Sequence, residues 1–249
     1  MGKKLKTVIT EGKYAEEKLL RDMWLLRRAF LELNQTEEND WRYFSDFCSR
    51  DNTYLFTFFD SSGELQGFFT FTFKSFDKSR KRALLILSKY YYVKPAYRGH
   101  SSITSAAWRI IPRAMWQYGL QAIYVTAFVF PSSYVSLSRT FGGVKIIQKS
   151  TTTEWEQEML ESFAEEIYGE NWDKNDKLVR NQNTPFEENK GKTQSIQALQ
   201  VEYEAINPNW RDGVSMPILM KLDFHTVHNI LSSSVRRMRR GNLVANQSK

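Results

Sequence analysis

Cysteine occurs once in the 249 residues, at Cys48, and histidine three times, at His100, His225 and His228. A single thiol excludes an internal disulfide and a cysteine-built metal site, and the histidines show no zinc-ligand spacing. No metal is expected, and a reducing compartment is the natural setting. Proline and glycine are also sparse, at 6 and 12 residues, which excludes a collagen-like or low-complexity chain. No apolar run approaches the roughly 20 residues of a membrane span; the best candidates, at 83–93 and 122–130, are strand-length. Met1-Gly2-Lys3-Lys4 is followed by no apolar signal core, and Lys6 stands where N-myristoylation prefers Ser or Thr. These readings predict a cytoplasmic protein without a transmembrane segment.

What is present is apolar and basic. Hydrophobic residues make up 41% and aromatic residues 14%, enough for one sizeable core or two small ones. Lys and Arg number 35 against 28 Asp and Glu, a net charge of +7. Such a surface suits acidic partners, among them nucleic acid, anionic lipid, a CoA phosphate or an acidic carrier protein; the plainer alternative is a solubilising charge.

Hydrophobic periodicity divides the chain. Residues 7–10 are β-branched, and 14–33 carry Leu19, Leu20, Met23, Trp24, Leu26, Phe30 and Leu31 at helical spacing. A second short helix is expected over 41–48. The period then changes: 54–60 and 65–73 flank Ser61-Ser62-Gly63 as a β-hairpin. After a charged turn at 76–81 come a long strand over 83–93, a helix over 102–118, a buried strand over 122–130, a short helix over 132–141 and a strand over 144–148. Pro112 falls within the first of these helices and is expected to kink or shorten it. The order β-α-α-β-β-β-α-β-α-β implies a right-handed parallel crossover in an otherwise antiparallel sheet.

Beyond residue 150 the pattern weakens. An acidic amphipathic helix is expected over 154–168 and a mobile segment over 170–194, rich in Asn, Lys, Glu and Gln. Residues 197–205 read as helix or strand, 216–222 as a strand broken at Pro217, and 224–240 as a helix. The predicted division is a first domain over 1–150 and a helical, irregular extension over 151–249. Arg236, Arg237, Arg239 and Arg240 end an amphipathic helix, which fits either an anionic surface or nucleic acid, or a solvated helix that covers the core.

One stretch carries a resemblance. Val93-Lys94-Pro95-Ala96-Tyr97-Arg98-Gly99-His100-Ser101-Ser102-Ile103 resembles the strand-end motif V-x-P-x-x-R-G-x-G-x-G/A of the GNAT-superfamily N-acyltransferases, and the elements over 83–144 follow that family's order. The resemblance implies an α/β fold with a mixed, mostly antiparallel twisted sheet flanked by helices. It implies transfer of an acyl group from a thioester to an amine, with acetyl-CoA or a longer acyl-CoA as donor, or acyl carrier protein in its place. A GNAT-like fold adapted to nucleic-acid or other acidic-partner binding is the alternative. Ser101 and Ile103 stand where the family has its later glycine-type positions. Matched backwards from Gly142, the family's Asn position is Pro131 and its Tyr position is Ser138, with Tyr134 about one helical turn earlier.

By that resemblance Tyr91, Tyr92 and Val93 line the gap that receives pantetheine. Arg98, Gly99, His100, Ser101, Ser102 and Ile103 form the loop at a helix N-terminus, whose open N–H groups and partial positive charge suit a pyrophosphate. Tyr134, with Ser138 at the family's Tyr position, is the candidate acid for the leaving thiolate; a ring packed into the core is the other reading of Tyr134. Loop hydroxyl donors and helix caps are both open to Ser101 and Ser102. Glu11 and Asp60 are candidate bases by their places near strand ends, and Cys48 reads as a small buried hydrophobe.

Overall fold

The computed structural model describes residues 5–78, 80–98, 101–119, 122–141, 144–149, 151–180, 182–185 and 193–223, with 226 and 228. In chain order the strands are β1 (Lys6–Glu11), β2 (Leu31–Glu32), β3 (Thr53–Phe59), β4 (Leu65–Lys78), β5 (Lys81–Val93), β6 (Ala122–Val129), β7 (Lys145–Ile146), β8 (Trp172–Asp173), β9 (Leu178–Val179), β10 (Thr184–Pro185) and β11 (Met216–Lys221). The helices are α1 (Glu17–Arg28), α2 (Glu37–Cys48), α3 (Ser101–Tyr118), α4 (Pro131–Phe141), α5 (Glu154–Tyr168) and α6 (Gln194–Ile206).

Seven strands form one sheet in the order β1-β3-β4-β5-β6-β11-β7. Every pairing in it is antiparallel except β5 with β6, which are joined through α3. The predicted crossover is therefore where the alternation of strand and helix placed it. The hairpin turn between β3 and β4 is held by Asp60, whose carboxylate accepts from Ser62, Glu64 and Gln66.

One face of the sheet is covered by α1, α2 and α5. Met23 and Trp24, Phe44 and Phe47, and Met159 and Phe163 meet Leu85 and Leu87 there. The burial follows the helical period: Leu20, Met23, Trp24 and Arg27 form one stripe of α1. Thr36 caps α2 through Asn39, and Thr153 with Glu156 forms a capping box on α5. The other face receives α3 against Phe56, Phe69, Leu84 and Ile86. Further along that face α4 and α6 pack with Ala127, Val129, Met216 and Ile218.

Four expectations are corrected. The sheet crosses residue 150: β11, from the supposed extension, lies between β6 and β7, because Met216 and Ile218 have an apolar side to bury and β6 has an open edge. The segment from 170 is not loose throughout. Trp172, Leu178 and Val179 are buried and pair through β8 and β9; residues 186–192 lie outside the described residues. Pro217 does not break β11, which pairs with β6 from Met216↔Val129 to Lys221↔Tyr124, whereas β7 pairs only at Ile218 and Leu219. Pro217 thus sits where the strand has a partner on one side only, the tolerated place for a missing N–H. Likewise α3 runs through Pro112 to Tyr118 and is not shortened there. The expected basic helix over 224–240 falls outside the described residues save 226 and 228.

Candidate active site

The site begins where β5 and β6 part. Their parallel ladder runs from Ala83↔Ala122 to Leu87↔Thr126 and then stops. Both strands continue: β5 to Val93 against β4, and β6 to Val129 against β11. Residues 88–93 and 127–129 are therefore the two arms of a wedge. Among the described residues no strand pairs with the inner edge of 88–93, so its backbone groups face the opening.

A bulge shapes the β5 arm. Phe69 opposes Tyr91 and Phe71 opposes Ser88, so β5 carries one residue more than β4 between these pairs. An extra residue shifts the two-residue alternation of a strand. Before the bulge Ala83, Leu85 and Leu87 belong to the α1/α2/α5 core; after it Tyr90 does, with Tyr92 packed against it. Tyr91 takes the opposite face, 56% exposed and stacked on Phe69 at 6.2 Å. Val93 is buried beside Tyr97 and Ile103 in the α3 core.

At the far end of the β5 arm the chain turns through Pro95–Tyr97 and starts α3 at Ser101. The 18 residues of α3 direct an N-terminus, with its unpaired N–H groups, toward that end of the wedge. Exposed Arg98 donates from Nε to the Val93 carbonyl at 3.2 Å and lies 5.7 Å from the Phe30 ring centre. Ser102 stands in the first turn, and Ile103 packs beneath it, 4% exposed. Gly99, His100 and the side chain of Ser101 lie outside the described residues.

The combination of strand order, crossover and splay settles the architecture. The fold is the mixed, mostly antiparallel α/β sheet flanked by helices that the resemblance implies. No family model matches the chain, and no curated protein matches it. Solved structures to which the chain is similar include the aminoglycoside 6'-N-acetyltransferase AAC(6')-Ih from Acinetobacter baumannii, at 10% identity and TM-score 0.41 over 54% of this chain and 86% of that one. A ribosomal-protein-alanine N-acetyltransferase from Brucella melitensis is similar at 13% identity and TM-score 0.38, over 54% and 88% of the two chains. A third, AAC(6')-Iy in complex with a CoA-containing bisubstrate analogue, matches at 12% identity and TM-score 0.38, over 54% and 86%.

The wedge does not bring all the expected residues together. Tyr134 is buried on α4, and its hydroxyl donates to Glu202 of α6 at 2.8 Å. Burial and the Glu202 carboxylate raise its pKa well above the usual phenol value. A phenol held that way is a poor proton donor to a thiolate. Ser138, one turn on, is buried in the same α4. Glu11 pairs with Arg113 of α3, and Asp60 serves its hairpin turn. Cys48 is fully buried, and burial pushes its thiol up.

The group that composition did not single out is Lys89. It sits in the β5 bulge, half-buried, on the α1/α2/α5 side of the wedge. Its Nζ lies 4.3 Å from the ring centres of Tyr43 and Phe47, 4.6 Å from Tyr168 and 5.5 Å from Tyr90. It donates to the Tyr43 hydroxyl at 2.9 Å. Tyr168 in turn packs on Phe128 of the β6 arm, with ring centres 4.5 Å apart, so Lys89, Tyr168 and Phe128 link the two arms. A sequence signal did exist: within 83–93 Lys89 is the one charged residue, in a stretch otherwise apolar and aromatic but for Ser88. Its meaning depended on the bulge. Among the described residues no His, Cys, Asp and Glu cluster could hold a metal ion, and no helix is long and apolar enough to cross a membrane.

Proposed function

We propose that the chain is an N-acyltransferase that holds an acyl thioester in the wedge between β5 and β6 and transfers the acyl group to an amine arriving from the α1/α2/α5 side. The observation that supports this is the parting of a parallel strand pair after Leu87 and Thr126, with the N-terminus of α3 behind the far end of one arm.

The chemistry follows from that shape. Residues 88–93 extend roughly 16 Å at the rise of a strand, long enough to pair with an extended amide-containing arm. Phosphates belong at the α3 N-terminus, where backbone N–H groups and the helix dipole favour negative charge. Arg98, Gly99, His100, Ser101 and Ser102 are the residues of that end. Tyr91, Tyr92 and Val93 line the arm, and Ile103 supports the loop from below. The thioester then comes to the narrow end, near the bulge. Backbone N–H groups of the β5 arm are the donors available to the developing oxyanion. Acetyl-CoA or a longer acyl-CoA is the donor this arrangement suits; acylated carrier protein, drawn by the basic surface, is the other thioester source.

Calorimetric titration tests the reading. CoA and acyl-CoAs should bind, and Arg98→Ala should weaken binding by about 1–3 kcal/mol, the range for a charge-assisted contact. Preference for acylated carrier protein over every CoA thioester would change the donor. Absence of binding to CoA, acyl-CoA and acylated carrier protein up to about millimolar concentration would overturn the acyltransferase reading.

A further inference from the structure

We propose that Lys89 is the proton-transfer residue of the site: it takes the proton from the attacking amine and returns it to the departing sulfur. The proposal rests on the acyl-transfer reading and goes beyond it by naming the base. It also supplies the acid that Tyr134, engaged with Glu202, does not.

The argument is first one of place. The bulge sets Lys89 and Tyr90 on the same side of β5, separated by Ser88 alone from Leu87, the last residue of β5 paired with β6. A thioester whose phosphates sit at the α3 N-terminus presents its carbonyl at this narrow end. An acceptor amine coming from the α1/α2/α5 face meets Lys89 there.

The second point is the absence of a counter-charge. Among the described residues no carboxylate forms an ion pair with Lys89. The charged and titratable groups that face it are Arg27 from α1, Tyr43 and Cys48 from α2, Arg50 just after α2, Tyr90 from β5 and Tyr168 from α5. Burial, with Arg50 and Arg27, holds the Lys89 amine well below the usual lysine value, and only Cys48 acts the other way. Tyr43 stays protonated, pushed up to about 12 by burial. Its hydroxyl proton is directed to the Ile167 carbonyl at 3.5 Å while its oxygen accepts from Lys89. The Lys89 lone pair is therefore not used by Tyr43.

The third point is unmet polarity beside it. The Tyr90 hydroxyl and the Trp172 indole N–H are buried without a hydrogen-bond partner among the described residues. Tyr90 and Trp172 are each 5% exposed, and Trp172 packs edge-on to Phe128 of the other arm. Buried donors left open on both sides of a wedge fit a site completed by a polar ligand.

The step balances. The amine nitrogen forms the C–N bond, the C–S electron pair leaves with sulfur, and the amine proton moves to Nζ of Lys89. That proton then passes to the thiolate, so the products are an amide and a thiol and Lys89 is again a neutral amine.

The test uses the full chain, with acetyl-CoA as donor, spermidine as amine probe and thiol release as readout. Lys89→Met and Lys89→Arg should bind CoA within about threefold of the parent, yet release thiol about a hundredfold or more slowly, the usual weight of a general base. The wild-type rate should rise with pH through the Lys89 titration and then level, a limb absent from both variants. Where release is too slow to follow, or a variant fails to fold, acetic anhydride labelling of the wild type decides. Lys89 should label faster at neutral pH than exposed Lys18, and CoA should protect it. Variants that bind CoA and turn over like the parent overturn Lys89 and leave the acyltransferase standing. So does Lys89 that labels only at the pH of ordinary lysines, or that bound CoA leaves unprotected. Failure of the wild type to bind CoA or acetyl-CoA removes both.

Discussion

Asp40 is a fully buried carboxylate in the α1/α2 layer, and its stability depends on its partners. It accepts from Arg27 at 2.7 and 3.0 Å, from Trp24 at 2.7 Å and from Asn183 at 2.7 Å. Burial alone would raise its pKa; hydrogen bonds and charge from Arg27, with those from Trp24 and Asn183, outweigh that and lower it. Asp40→Asn removes the charge and leaves the Arg27 guanidinium buried and uncompensated, which should cost about 3–5 kcal/mol. The sign with pH follows. The folded value lies below the unfolded one, so this stabilisation is present above the ordinary carboxylate range and is lost as pH falls through the lower, folded value. Urea unfolding of both proteins from neutral to acid pH should show the gap between them narrowing on the acid side. A gap that is constant with pH would mean that the ion pair is not the cause. Asp40 and Arg27 were not legible as partners in the sequence, being 13 positions apart on different helices.

At the scale of elements, α3 holds a local conflict. Pro112 lacks the N–H that a mid-helix residue donates, yet the helix continues to Tyr118 because Ala106 and Ala114 are buried on either side of it against the sheet. Packing outweighs propensity here. Pro112 is itself exposed, so Pro112→Ala should restore a hydrogen bond without loss of packing and stabilise the protein by about 1–3 kcal/mol, near the intrinsic difference between the two residues. Thermal melting measures it; an unchanged or lower Tm would show that proline fits a bend the fold requires. The bulge in β5 is the other element-scale feature. Seen as a uniform strand, 83–93 puts Tyr90 and Tyr92 on one face and Tyr91 on the other, which holds. It does not reveal that Lys89 joins Tyr90, because a bulge is fixed by the pairing of β5 with β4.

For the whole molecule, the decisive feature is that the sheet is completed from the C-terminal side. β11 supplies six register pairs to β6 and is the neighbour through which β7 joins the sheet. α5 adds Met159, Leu160, Phe163 and Ile167 to the same core that holds α1 and α2. A fragment of residues 1–150 would expose the β6 edge and that apolar face together. It should not unfold cooperatively, and it should aggregate. Circular dichroism melts and size-exclusion chromatography of the fragment test this; a monomer with a sharp transition near the parent Tm would restore the division at 150.

Local pattern by itself determined most of the elements. The helical stripe of 154–168, the hairpin about Ser61-Ser62-Gly63 and the strand-helix-strand crossover all arise from neighbours within a few residues, where side-chain period and turn chemistry act directly. The V-x-P-x-x-R-G stretch likewise marks the strand-to-helix turn between β5 and α3. Tertiary structure decided what depends on distant partners. It placed β11 inside the sheet, engaged Tyr134 with Glu202, opened the wedge beyond Leu87 and set Lys89 among Tyr43, Phe47 and Tyr168. Each of these turns on residues tens of positions apart, and their energies come from burial and from the loss of water around polar groups. A one-dimensional pattern does not carry that information, because the same lysine on a regular, solvated strand is an ordinary surface cation.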